Sequence, residues 1–115
     1  FTGGDEGDWI VGKGAGDILR GGGGKDTIFG GLGDDQLSGG QGNDVLYDGD
    51  GTGGQDDPAS DNDTIDGGDG DDVIYSVQGE HFQDIDILNG GAGNDNIQVF
   101  GAQTSDQADG GTGTD

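Results

Sequence analysis

Residues 21–47 read GGGGKDTIF, GGLGDDQLS and GGQGNDVLY, which are three consecutive segments of nine residues. All three follow one rule: glycine at positions one, two and four, aspartate at position six, and an aliphatic residue at position eight. Such a strict short period is typical of a repeat fold in which each unit packs mainly against its neighbours.

The same frame continues in both directions along the chain. Repeats 1 (3–11) and 2 (12–20) precede it, with Glu6, Lys13 and Ala15 where glycines are expected. Repeats 7 (67–75) and 9 (90–98) are complete, whereas repeats 6, 8 and 10 keep only their last residues. Because 1–2 and 110–115 are parts of repeats, we expect one repeat domain over 1–115 that is either a window from a longer array or is continued by neighbouring copies.

Three insertions break the frame, at 48–57, 76–80 and 99–100. Each insertion precedes an even-numbered turn, namely turn 6, 8 or 10. In a coil with two strands, successive turns alternate between two sides. All three insertions are therefore predicted to lie on one side, while the odd-numbered turns keep their glycines from turn 3 onward.

Composition argues that this chain cannot fold by apolar burial alone. It has 25 acidic and three basic residues, a net charge of -22, 31 glycines and only 26% hydrophobic residues. These values are typical of a disordered chain unless a cation neutralises the compact state. The acidity excludes nucleic acid as a partner, the chain has no cysteine, and no apolar run is long enough for a membrane span.

The nonapeptide resembles the RTX (repeats-in-toxin) calcium-binding β-roll. The resemblance implies an all-β fold: a right-handed parallel β-roll, a β-helix-like solenoid, with calcium bound in the turns. Glycine lets each turn curl so that its carbonyl groups converge, and calcium takes six to eight oxygen ligands.

Position eight is predicted to supply the core. It is aliphatic in nearly every repeat and should point inward from three-residue strands, because side chains alternate across a strand. The predicted core residues are Ile10, Leu19, Ile28, Leu37, Leu46, Ile65, Ile74, Leu88 and Ile97, with Ala108 in the tenth repeat. One aliphatic residue in nine is too thin a core to hold the coil without the metal.

In the RTX family each ion lies between one turn and the turn two repeats later on the same side. The resemblance therefore implies several Ca2+ ions, held by position-six carboxylates and by backbone carbonyls. The implied carboxylate ligands are Asp8, Asp17, Asp26, Asp35, Asp44, Asp63, Asp72, Asp86, Asp95 and Asp115. The implied carbonyl ligands are Gly21, Gly39, Gly67 and Gly90. Asp63 and Asp86 keep the carboxylate in turns that lack the glycines.

Other interpretations of the same residues remain open at this point. A Gly–Asp tract can be flexible and solvated, although the aliphatic phase returns after every insertion. Residues 48–53 resemble the start of an EF-hand loop, but Ala59 stands where that loop needs an acidic residue, so extra calcium bound in this loop by another geometry is favoured over an EF-hand. His81 is the only histidine and is interpreted as a loop residue.

The outward positions seven and nine differ between the two predicted sheets. Strands after odd turns carry Trp9, Phe29, Tyr47 and Tyr75, whereas strands after even turns are mostly polar. Such a face is either a set of cross-strand ladders that stiffen the sheet or a surface for self-association or a neighbouring repeat domain.

Two functions are consistent with these observations, and no catalytic residues are predicted. The first is a calcium-binding RTX module of a secreted bacterial protein, exported by type I secretion, that folds on binding extracellular calcium. The alternative is a structural or adhesive repeat protein that forms calcium-stabilised fibres or a layer on the bacterial surface. We expect no enzyme activity because the carboxylates are committed to metal and no nucleophile or zinc-type cluster is present.

Overall fold

The computed structural model describes residues 1–49, 61–77, 85–100 and 107–114. Within these ranges the chain forms strands and turns and no helix. The ten strands are β1 (Trp9–Gly14), β2 (Ile18–Gly23), β3 (Thr27–Leu32), β4 (Gln36–Gln41), β5 (Val45–Tyr47), β6 (Thr64–Asp69), β7 (Val73–Val77), β8 (Ile87–Ala92), β9 (Asn96–Phe100) and β10 (Gln107–Asp109).

The strands form two parallel sheets that separate odd from even repeats. One sheet has the order β1-β3-β5-β7-β9 and the other β10-β8-β6-β4-β2, so each strand pairs with the strand two repeats away. The register is that of the repeat: Ile28 pairs with Ile10 and with Leu46. The predicted all-β parallel roll is confirmed, and successive turns lie on alternate sides.

Most strands are longer than the three residues that the repeat predicts. β2 and β4 each contain six residues, and their pairing continues through Gly22 with Gly40 and Gly23 with Gln41. The first three positions of the next turn therefore still belong to the ladder, because glycine allows the backbone to bend there without leaving it.

The core is one cluster of aliphatic side chains to which both sheets contribute. Ile10, Leu19, Ile28, Leu37, Leu46, Ile65, Ile74 and Leu88 are all buried and form one cluster. Ile97 is only partly buried, together with Val99, and Ala108 is exposed. The prediction for position eight is thus confirmed for eight repeats and weakens toward the last coils.

The described part of the insertions lies close to the strands. Asp48 follows β5 directly, and Ser76 and Val77 belong to β7. Val99 and Phe100 extend β9, where they pair with Ser76 and Val77. Residues 50–57 and 78–80 of the predicted insertions, and His81, lie outside the described residues.

Aromatic side chains stack along the outer face of the odd-numbered sheet. Ring centroids are 5.0 Å apart for Trp9 and Phe29, 4.7 Å for Phe29 and Tyr47, and 4.8 Å for Tyr47 and Tyr75. Phe100 continues the series at 6.4 Å from Tyr75. We call these five residues the aromatic ladder; Phe29 within it is only 8% exposed. No helix in the described ranges has the length and apolarity that crossing a membrane requires.

Candidate metal sites in the turns

Each position-six aspartate is tied to the same position of the turn two repeats earlier. The backbone N–H of Asp8 donates to Oδ1 of Asp26 at 2.8 Å, and that of Asp26 donates to Oδ1 of Asp44 at 2.8 Å. The series continues on the odd side through Asp72 and Asp95. The even side repeats it through Asp17, Asp35, Asp63 and Asp86. This ladder holds Oδ1 of each accepting carboxylate and leaves Oδ2 outside it.

The second oxygen, Oδ2, has no hydrogen-bond partner in several of these carboxylates. Oδ2 is buried and accepts no hydrogen bond in Asp17, Asp26, Asp35, Asp44 and Asp72. A buried polar atom without a partner costs about 1–3 kcal/mol, and more when it is charged. Five such atoms in matching positions are the strongest sign that the turns are built around something bound.

Position one leaves an open space beside each of these oxygens. We call this space, which lies between Oδ2 of the aspartate and a carbonyl oxygen two repeats later, the cradle. A Cβ added to Gly21 would lie within 3.0 Å of both Asp26 Oδ2 and the carbonyl oxygen of Gly39. Gly39 stands in the same relation to Asp44 Oδ2 and the carbonyl of Gly67. Glycine is therefore required at position one of these turns, and the absent side chain leaves the carboxylate and carbonyl oxygens facing one space.

Positions two and four need glycine for a different reason. Gly40 and Gly42 have φ angles of +109° and +124°, and an added Cβ would collide with the carbonyls of Gly22 and Gly24. The backbone therefore curls in a left-handed conformation that other residues rarely adopt. Lys13 and Ala15 occupy the same positions in repeat 2 with φ of 95° and 68°, so that turn carries backbone strain.

A second ladder runs through position five in the opposite direction. The Asp71 N–H donates to Asn43 Oδ1 at 3.0 Å, and the Asn94 N–H donates to Asp71 Oδ1 at 2.9 Å. Here the later turn donates to the earlier one, whereas at position six the earlier turn donates to the later one. Together the two ladders hold successive turns of one side in register.

Burial raises the pKa of several carboxyl groups in these turns. Desolvation is the largest cause for Asp35 and Asp72, whose pKa rises to about 6, and for Asp44, whose pKa is also raised. Neighbouring aspartates raise the pKa further, while backbone N–H donors lower it. A bound cation would reverse this balance, because an adjacent positive charge stabilises the ionised form.

Side chains alone do not complete a metal site in the described ranges. No group of three or more histidine, aspartate or glutamate side chains there is arranged to hold an ion. Further oxygens must come from the backbone carbonyls that the glycines bring together. Mixed carboxylate and carbonyl oxygens without nitrogen or sulfur are the ligands of a hard cation such as Ca2+. The residues present therefore fit calcium.

Three of the predicted carboxylates depart from the regular pattern. Oδ2 of Asp8 accepts a hydrogen bond from the backbone N–H of Gly4 at 2.7 Å, in the turn where Glu6 replaces a glycine. Oδ2 of Asp86 accepts one from the Ser76 hydroxyl at 2.8 Å. Asp63 lies beside Asp86 and Asp48, and burial, with these charges, raises its pKa to about 8. Asp115 lies outside the described residues.

The repeat frame gave no role to Asp48 or Ser76, yet both are buried at the even side. Asp48 accepts hydrogen bonds from the N–H groups of Gly49 at 2.6 Å and Val77 at 2.8 Å. Burial, as the largest cause, raises its pKa to about 7. The signal that could have found them is that each directly follows position nine of a complete repeat, where position one is due.

Comparison with known proteins agrees with this geometry. The family model of the RTX calcium-binding nonapeptide repeat, which spans four copies, matches residues 2–37, 29–52 and 59–80. These matches cover more than half of the chain. No curated protein and no solved structure matches it.

Proposed function

Because the chain belongs to the RTX calcium-binding nonapeptide repeat family, we propose that it is a module that folds when calcium enters its turns. The family is a calcium-binding repeat and not an enzyme family, and its members typically occur in extracellular proteins. The observation that carries the proposal is the set of five buried Oδ2 atoms without a hydrogen-bond donor.

The regular turns supply the proposed ligands. On the odd side these are the carboxylates of Asp26, Asp44, Asp72 and Asp95, with Asp115 in the last turn. Asp8, whose Oδ2 accepts the Gly4 N–H, is the weaker first member. On the even side they are Asp17 and Asp35. The carbonyl groups of Gly21, Gly39, Gly67 and Gly90 belong to the same sites, because three of these carbonyls face an orphaned Oδ2 across the preceding position-one glycine.

Charge makes folding and binding one event. A chain of net charge -22 that packs its aspartates in columns is self-repelling until cations neutralise them. The eight-residue aliphatic cluster is a small core for 115 residues. The free energy of calcium binding is therefore free energy of folding, as in other domains that lack a stable metal-free state.

This coupling suits a protein that must leave the cell unfolded. Calcium sites with the weak affinity typical of extracellular modules, with dissociation constants of about 0.1–1 mM, stay empty in the cytosol and are filled by calcium outside the cell. We propose that the chain is exported in the unfolded state by type I secretion and folds on reaching extracellular calcium. Its physiological location would then be outside the bacterial cell, in solution or at the surface.

A structural or adhesive role is the second candidate, and the aromatic ladder favours it. The outermost rings remain open, since Trp9 is 72% and Phe100 50% exposed. Further coils or another copy could continue the stack in calcium. Against this, Phe29 is already covered by its neighbours, so the middle of the ladder stabilises the sheet without a partner.

Far-UV circular dichroism and sedimentation velocity, measured together during a calcium titration, test both functions. The module predicts that an expanded monomer becomes a compact β-sheet monomer as calcium rises into the millimolar range. Large species that appear only after compaction would favour assembly. A calcium-independent spectrum and sedimentation coefficient would contradict the proposal.

A further inference from the structure

Position one of the turns distinguishes the two sides of the roll. On the odd side it is glycine in every described turn: Gly3, Gly21, Gly39, Gly67, Gly90 and Gly110. On the even side it begins with glycine and then changes: Gly12, Gly30, Asp48, Ser76 and Val99. The even-side members are structurally equivalent, because the Gly31 N–H donates to the Asp48 carbonyl at 2.9 Å and Ser76 pairs with Val99.

The backbone of Asp48 completes the last regular even-side cradle. A Cβ on Gly30 would meet the Asp48 carbonyl oxygen and Asp35 Oδ2 together. This is the relation that Gly21 has to the Gly39 carbonyl and Asp26 Oδ2. A glycine at position 48 is not needed for this contribution, because the oxygen belongs to the main chain.

The side chain of Asp48 has no counterpart in a regular turn, where position one is glycine. Asp48 is 5% exposed, at a position one where the regular turns carry glycine and no side chain. Both of its oxygens accept backbone hydrogen bonds, Oδ1 from Gly49 and Oδ2 from Val77. It is therefore held in place by the protein itself.

Ser76 fills the same place one coil later. Its hydroxyl is fully buried and donates to Asp86 Oδ2 at 2.8 Å, while Asp86 Oδ1 accepts the usual ladder bond from the Asp63 N–H at 3.0 Å. In Asp35 and Asp72 the corresponding Oδ2 has no donor at all. At position six, these turns therefore differ in the oxygen that would face the ion.

We propose that Asp48 and Ser76 end the even-side column of calcium ions. The Asp48 carbonyl completes the site of Asp35. Beyond it, the Ser76 hydroxyl takes the place of the metal at Asp86 Oδ2, while the Asp48 carboxylate is held by the backbone N–H groups of Gly49 and Val77. The inference rests on the proposed calcium-binding function and specifies which turns carry it out. Val99, partly buried against the core, continues the replacement with an apolar side chain.

This arrangement divides the ions unequally between the two sides. The odd side keeps glycine at position one and a calcium column along its length. The even side binds calcium only in its first turns and is closed by internal hydrogen bonds where the inserted segments leave and rejoin the roll. The position-six rule alone therefore overcounts the ions, because Asp86 satisfies it while its Oδ2 accepts the Ser76 hydroxyl.

The number of ions taken up on folding can be read from stability. When calcium is well above its dissociation constants, the free energy of unfolding rises with ln[Ca2+] in proportion to the number of ions that unfolding releases. We would measure urea unfolding at several millimolar calcium concentrations for the whole chain. Wild type gives the reference slope, and Asp66→Asn, at an exposed outward position, is the matched control.

Asp72→Asn and Asp35→Asn are expected to lower the slope by about one ion each, because they remove orphaned carboxylates. Asp86→Asn and Asp48→Asn are each expected to lower the free energy of unfolding by an amount that does not change with calcium concentration. Their slopes against ln[Ca2+] should therefore equal that of wild type. If Asp86→Asn prevents folding, Ser76→Ala replaces it, with the same expectation. A slope that falls in Asp86→Asn or Ser76→Ala as it does in Asp72→Asn overturns the inference. A wild-type slope of zero would instead overturn the proposed function.

Discussion

Asp26 and Asp44 are joined by a hydrogen bond of 2.8 Å from the backbone N–H of Asp26 to Oδ1 of Asp44, while Oδ2 of Asp44 has no donor. One oxygen of the carboxylate thus belongs to the fold, and the other is the atom that we propose binds calcium. The same division recurs in Asp26 and Asp72 on the odd side. In the proposed function, each of these turns is a structural contact and part of a metal site at once.

Asp44→Asn tests this division. The amide can keep the ladder bond through its oxygen, but it loses the charge that a calcium ion needs. We expect the calcium concentration at the midpoint of folding, followed by circular dichroism, to rise by about tenfold. This corresponds to a loss of ~1.4 kcal/mol in the free energy of calcium binding. Asp66→Asn, on an exposed outward position, should keep the wild-type midpoint; an equal shift in both variants would contradict a site at Asp44.

Gly42→Ala tests the requirement for glycine at position four. The residue has φ +124°, and an added Cβ would collide with the carbonyl oxygen of Gly24. We expect the variant to remain expanded in millimolar calcium, because strain of about 1–3 kcal/mol adds to the clash. Gly14→Ala is the matched control, since an added Cβ there meets nothing within 4 Å. Gly14→Ala should fold at the wild-type calcium concentration. If Gly42→Ala does so too, the turn tolerates a side chain at position four.

The calcium-free chain should become more compact as the pH falls. Asp35, Asp72, Asp48 and Asp63 have an ordinary pKa of 3.8, which folding without metal raises to about 6, 6, 7 and 8. Each group binds a proton more tightly in the folded state, so its stabilisation is full below about pH 3.8 and is lost as the pH rises through the folded pKa.

Sedimentation velocity in chelator from pH 8 to pH 4 measures this dependence. The sedimentation coefficient should increase toward acid, and Asp63→Asn should remove the upper part of the change. With calcium the sign reverses, because protons then compete with the ion and the folding midpoint rises as the pH falls. A calcium-free chain that compacts as the pH increases would show that the buried carboxyls do not control its stability.

The aromatic ladder should stabilise the odd-numbered sheet. Phe29 lies 5.0 Å from Trp9 and 4.7 Å from Tyr47, measured between ring centroids. We expect Phe29→Ser with Tyr47→Ser to lower the free energy of unfolding in calcium by about 3–5 kcal/mol, from lost burial and stacking. Phe1→Ser, at a residue 74% exposed, is the control.

The same double variant separates the two interpretations of this face. If the rings only stiffen the sheet, the variant loses stability and the sedimentation of wild type shows a monomer. If the face is an interface, wild type associates in calcium and the variant folds normally but stays monomeric. Unchanged stability together with unchanged association would exclude both roles.

The repeat period predicts the parts of the fold that depend on chain order alone. The alternation of two sheets, the inward position eight and the aspartates of the turns follow from a period of nine and the pleat of a strand. The roles of Asp48 and Ser76 could not be predicted, because they depend on where the chain re-enters the roll after an insertion. Phe100 likewise joins the aromatic ladder only because β9 continues past Gln98.

The central claim is that calcium folds this chain, and sedimentation velocity in chelator and in millimolar calcium tests it most directly. The account predicts a slow, expanded monomer in chelator that becomes a compact monomer in calcium, with magnesium at the same concentration as the ionic-strength control. Identical sedimentation in all three conditions would contradict it.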